Sequence, residues 1–196
     1  MVRPTVHTGP RAAARLNEFG LRFEDFEASF KYGLDEAATC TDKDVSFCKG
    51  TLLYSRIGRR LQEILEPADW QDSRPHNQKS VLHFGFGIRV LHLTGNGETG
   101  NADPRAVVAP ARPGGQARRD LIAKNTEPTV LGKFDPSTWF LLYKLGSATL
   151  RSELSYTETP PDDEDEYHWI ERIVLPEVEL PPGLRAGDED LVMPPN

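Results

Sequence analysis

Cysteine is scarce in this chain: among 196 residues there are only Cys40 and Cys48, with seven residues between them. So few thiols exclude a small disulfide-built scaffold. The two could bond only if the intervening loop folded back on itself, so two free thiols are expected. No Cys-x-x-Cys occurs, and none of His7, His76, His83, His92 and His168 stands close to another Cys or His ligand. That spacing gives no reason to expect a zinc centre, and no metal or cofactor is assigned. Long apolar runs are missing too. None approaches the roughly 20 residues a bilayer crossing needs, so no membrane association is expected. The stretch from Met1 to Pro10 lacks the apolar core of a secretory signal, which points to a cytoplasmic address.

Catalytic signatures are equally thin. There is no Gly-x-Ser-x-Gly elbow, and Cys48 with a distant His83 is a pairing that any chain with both residues would offer. His168, near Glu166 and Glu171, reads as a strand-face histidine rather than a base. Asp42 and Asp44 are not followed by the third acid, glycine and closing Glu of a calcium loop. Gly95-Asn96-Gly97-Glu98-Thr99-Gly100 has the glycine spacing of a phosphate loop, but Asn101 and Ala102 stand where Lys and Ser or Thr should follow. A hairpin tip is the better reading.

A net basic charge is also lacking. Thirty acids against 23 bases leave −7 and a pI near 5.3, which argues against a dedicated nucleic-acid binder. The charge is segregated, however. Arg105, Arg112, Arg118, Arg119, Lys124 and Lys133 form a basic segment over 105–133 that meets only Asp120 and Glu127. Acids crowd the stretch from Glu158 to Glu171. Each is read as a solvated loop or as one half of an interface between subunits.

What is present suits one folded α+β domain, covering 11–180, with a tail at 1–10 and a Pro-rich acidic tail at 181–196. Leu16, Phe19, Phe23, Phe26 and Phe30 recur in steps of three and four, which predicts a helix over 11–38 that Gly20 or Gly33 bends or ends. Its phenylalanine stripe is read as burial against a sheet, with a subunit seam as the alternative. A second helix is expected over 51–66, stopped by Pro67. The run 80–94 reads as one long strand, with Gly85 and Gly87 beside His83 and Arg89 on one face. Glycines there mark a curved strand or a ligand gap.

Residues 105–109 read as a short partner strand, and 116–124 as a short helix or an extended excursion. The run 139–145 is apolar on both faces like a central strand. It is followed by Gly146-Ser147, an alternating strand over 149–157 and a third strand over 167–175 ended by Pro176, which together predict an antiparallel meander. The expected fold is therefore α+β, with two N-terminal helices on a curved, mainly antiparallel sheet of about five strands and an extended Pro-rich C-terminal tail.

The candidate ligand-binding residues are His83, Arg89, Arg105, Arg112, Arg118, Arg119 and Lys124, and the candidate interaction residues are Phe19, Phe23, Phe26 and Phe30. Arginine exceeds lysine by 16 to 7 and Ala, Gly and Pro are plentiful, a bias typical of GC-rich bacterial genomes. The functional expectation is a bacterial cytosolic binding or assembly protein without catalytic machinery, joining a protein partner or further copies of itself. The alternative is a protein, including a hydrolase, that binds nucleic acid, a nucleotide or another phosphorylated ligand through the basic segment.

Overall fold

The computed structural model describes residues 3–112, 114–125, 136–161 and 166–184. Among these the fold is α+β, but the predicted two helices on five mainly antiparallel strands are replaced by four α-helices and an eight-stranded mixed sheet. The strands are β1 (Thr5–His7), β2 (Gln71–Ser73), β3 (Ser80–His83), β4 (Ile88–Thr94), β5 (Ser137–Leu145), β6 (Thr149–Tyr156), β7 (Glu171–Val174) and β8 (Val178–Glu179). Their order is β1-β7-β6-β5-β4-β3-β2, with β8 beside β6.

The predicted meander β5-β6-β7 is present, with Leu141 opposite Leu154 and Leu154 opposite Ile173. Two parallel pairs were not foreseen. β1 lies parallel to β7 within the segment read as a tail, and β4 lies parallel to β5. Parallel neighbours need a long crossover, and 95–136 supplies it. Residues 105–109, expected as a strand, form only a loop that touches the sheet at the Gly95–Pro110 bridge.

The helix predicted over 11–38 is two helices, α1 (Gly9–Asn17) and α2 (Phe23–Ala38). Gly20 takes φ +68°. It closes α1 with the Gly20 and Leu21 N–H groups returning to the Asn17 and Leu16 carbonyls, a glycine-dependent C-cap. Asp25 then starts α2 by accepting the Arg22 backbone N–H at 2.9 Å, as an acid at the third helical position does in a capping box. Gly33 stays inside α2, where a Cβ would lie 2.6 Å from Ile57 Cγ1 of α3 (Cys48–Leu65). The two helices pack closely at that point because Gly33 leaves the space that the Ile57 side chain fills.

α1, α2 and α3 cover one sheet face. Phe26, Phe30, Leu34, Leu53, Ile57 and Leu61 meet Val90, Trp139, Leu141, Tyr143 and Leu154 there. The second face is covered by α4 (Gln116–Ala123) and irregular chain. Leu121, Ile122, Val108, Tyr167 and Trp169 meet Leu91, Phe140 and Leu142. β5 is thus covered on both faces, as its doubly apolar sequence requires. Tyr167 and Trp169, predicted as strand residues, instead fold over this second face, and Trp169 Nε1–H donates to the Val108 carbonyl at 2.7 Å.

One ion pair lies wholly inside. Arg172 on β7 and Glu153 on β6 are both fully buried, with Arg172 Nε donating to Oε1 at 2.9 Å and Nη2 to Oε2 at 2.7 Å. Further bonds surround the pair: Gly100 N–H donates to Oε2 and Ser155 Oγ to Oε1, while Arg172 also donates to the Asn101 and Asp103 carbonyls. Gly100 has φ +77°, and a Cβ there would sit 2.9 Å from Arg151 Cβ, so only glycine brings this N–H to the carboxylate. Removing one partner strands the other charge in a low-dielectric interior. Arg172→Met is expected to lower stability by about 3–5 kcal/mol. Arg172→Met with Glu153→Leu is expected to regain much of that loss. Urea denaturation of both variants against the parent checks this; equal losses in the single and double variants would contradict it.

Candidate functional site

The run 80–94 is a hairpin, not one strand. Gly87 at φ +67° closes the turn 84–87 with its N–H on the His83 carbonyl, so this glycine serves chain reversal. His83 opposes Ile88, and Leu82 opposes Arg89, so His83 and Arg89 fall on opposite sheet faces. His83 Nδ1 accepts the Phe86 N–H at 3.1 Å, and its ring lies 5.4 Å from Trp70 and 4.3 Å from Phe86. Arg89 reaches Thr138 Oγ1 on the other face at 3.5 Å.

Among the described residues the basic segment does not form an open cluster of cations. Arg105 forks onto Asp103, whose carboxyl it holds down to about 2. Arg118 Nη1 donates to the Arg112 carbonyl at 3.0 Å and to Tyr167 Oη at 3.3 Å, and Arg119 Nη1 donates to the Pro161 carbonyl at 2.7 Å. Arg112 and Lys124 also have partners within the chain. Lys133, Glu127, Asp162, Asp163, Glu164, Asp165 and the acidic tail from 185 onward lie outside the described residues. His168 is exposed on a loop rather than on a strand face.

Phe19, Phe26 and Phe30 lie in the core between helices and sheet, and Phe23 packs against it half-buried. Phe19 meets Trp139 at 5.0 Å and Phe30 meets Tyr143 at 5.9 Å. The Arg15 guanidinium caps this stack over the Phe19 ring at 4.4 Å and donates to Glu171, which also accepts from His7.

Other apolar groups are left at the surface, Val45, Phe47 and Val107 among them, and three more fall together. Phe84 and Phe86 in the hairpin turn are 51% and 45% exposed, and Ile170, just before β7, is 45% exposed. The register from Ile88 to Ser137, from Trp139 to Tyr156 and from Tyr156 to Glu171 puts all three at one end of the sheet. The reading of 80–94 as one strand placed no turn at Phe84 and Phe86. The turn chemistry of Phe-Gly-Phe-Gly was the signal that could have corrected it.

At the other end of α3 the α2–α3 loop folds back, and Cys40 and Cys48 are joined as a disulfide with Cα atoms 6.4 Å apart, against the expectation of free thiols. The Thr41 N–H and Oγ1–H both donate to Asp44 Oδ2, at 2.7 and 3.0 Å, which curls the loop and lowers the Asp44 carboxyl. Local side-chain to backbone closure of this kind is what brings cysteines this close in sequence within reach. The loop surrounds a cavity of about 260 Å³ lined by Cys40, Asp42, Asp44, Val45, Cys48 and Lys49 among others. One sulfur from each cysteine and a carboxylate oxygen of Asp44 lie within 4.8 Å of one another.

Comparison with protein-family models, curated proteins and solved structures found no match. No described helix is long and apolar enough to cross a membrane.

His92 on β4 is a buried titratable group. Its ring stacks on Tyr54 at 4.3 Å, its Nε2 meets the Tyr54 carbonyl at 3.0 Å, and it packs against Gly58, where no Cβ intervenes. Burial pushes its pKa down from 6.5 to about 4, with the Tyr54 carbonyl opposing the shift and Lys79 adding to it. The unfolded chain takes up this proton below pH 6.5 while the fold refuses it until about 4. Stability is therefore expected to fall as pH drops between those values, by on the order of 3 kcal/mol in all, and to gain no further loss from this group below them. His92→Gln should flatten that part of the profile, as read by urea denaturation across the interval; an unchanged slope would show that other groups cause it.

Proposed function

We propose that this chain is a bacterial cytosolic binding or assembly protein that works without catalytic chemistry of its own. It meets a protein partner or a second copy of itself through the apolar rim of Phe84, Phe86 and Ile170. The exposure of two phenylalanines on one tight turn carries this reading. Covering the exposed half of each ring returns about 1 kcal/mol, and aromatic side chains at the centre of an interface are where binding energy concentrates. The turn is well supported from below, since Phe86 packs over Gly20 at the α1–α2 junction and against His83. A stiff platform loses little entropy on docking.

Binding of nucleic acid, a nucleotide or another phosphorylated ligand, with or without hydrolysis, has less support. Every basic side chain from Arg105 to Lys124 already has a partner within the chain, and a ligand phosphate would have to displace these. The two readings differ in salt response. An apolar contact persists as salt rises, whereas phosphate contacts weaken steeply. Native mass spectrometry with size-exclusion chromatography is expected to find an oligomer or a protein complex that survives high salt. Phe84→Ser with Phe86→Ser is expected to release monomer with its circular dichroism unchanged. A parent chain that stays monomeric and alone at every concentration would overturn the proposal.

A further inference from the structure

The α2–α3 loop carries chemistry that neither the fold nor the apolar rim uses. We propose that, once its disulfide is reduced, this loop binds a thiophilic divalent cation of the zinc class through Cys40 Sγ, Cys48 Sγ and an Asp44 carboxylate oxygen. Three donor atoms already lie within 4.8 Å of one another, on a loop whose curl is held by Thr41 and Asp44 rather than by the sulfurs alone. Two thiolates and a carboxylate are a zinc-type donor set; calcium or magnesium would take oxygen only. The cavity of about 260 Å³ bounded by the same three residues leaves room for the ion and for water in a fourth position.

Cys48 is the first residue of the 18-residue helix α3, and Lys49 lines the same cavity. Searching the sequence for Cys and His ligands alone overlooked Asp44 as the third donor.

The chemistry balances in two steps. A dithiol reductant supplies two electrons and two protons to the Cys40–Cys48 bond and leaves as its own disulfide, giving two thiols. The cation then displaces both thiol protons, so its affinity rises with pH. In the oxidised chain the sulfurs' bonding electrons are committed to each other, and the site is closed.

The test is cobalt(II) titration of the full chain reduced with a phosphine, after a thiol count has confirmed two free thiols. The expected result is one equivalent bound, with a thiolate-to-cobalt charge-transfer band and tetrahedral ligand-field bands that zinc abolishes by displacement. The oxidised chain should show neither. Cys40→Ser should remove the charge-transfer intensity. Asp44→Asn should weaken binding by at least about tenfold, the low end of what changing even an outer-shell group costs. A reduced chain with two counted thiols and no cobalt spectrum would overturn the site. An Asp44→Asn variant that binds like the parent would overturn the carboxylate's role and with it the proposed donor set. Circular dichroism of each variant checks folding, and because the loop lies outside both cores the variants should fold as the parent does.

Discussion

The pair between Glu153 and Arg172 is the constraint on which the second sheet face depends. Each charge would be very costly in that interior by itself, and together they are tolerated because both carboxylate oxygens accept two hydrogen bonds each and the guanidinium donates four. The partners are not all on strands. Gly100, Asn101 and Asp103 come from the loop after β4, so satisfying the charges holds that loop down on the sheet. Around it, Asn96, Asn101 and Asp103 each use a side-chain oxygen to accept the N–H two residues on, so the loop is closed by its own polar groups. The glycine-rich stretch that resembles a phosphate cradle therefore spends an N–H on an internal carboxylate.

The same economy governs the basic residues. In a chain with excess acid, Arg118 and Arg119 are used to tie α4 to carbonyl oxygens of irregular chain on either side. Asn125 continues the work just past α4, bonding Thr138 N–H, the Thr138 carbonyl and the Thr157 carbonyl across β5 and the end of β6. A face covered mostly by irregular segments has backbone groups to satisfy that a helical layer would satisfy itself. Long polar side chains do this here, and charge patterning along the sequence is indistinguishable from a ligand-binding footprint until they are seen in place.

Pattern and turn chemistry made the β5-β6-β7 meander and the stop at Pro176 legible, because β5 is apolar on both faces and β6 alternates. The N-terminal helical region was legible as helix but not as two helices. The three-and-four spacing of its phenylalanines runs straight through the break, and only the left-handed Gly20 marks it. β1 and β2, three residues each, are too short to show any period and exist because a neighbour is present to pair with. The hairpin β3-β4 was misread because a four-residue turn of alternating Phe and Gly mimics strand alternation. In the site, the cysteine pair was visible, but its geometry depends on a Thr41–Asp44 turn whose hydrogen bonds are local and specific rather than periodic.

The pairing of β1 with β7 has a kinetic side. Thr5 must find Glu171 across nearly the whole chain, and Thr94 must find Tyr143 across the long crossover. Contacts of such sequence separation are reached only after large loops have closed, so assembly of this sheet is governed by its late, non-local pairings rather than by its helices. During synthesis the first strand emerges with no edge to join. It stays an open edge until 171–173 exists, and the order in which the chain is made is the reverse of the order in which that edge of the sheet can be completed.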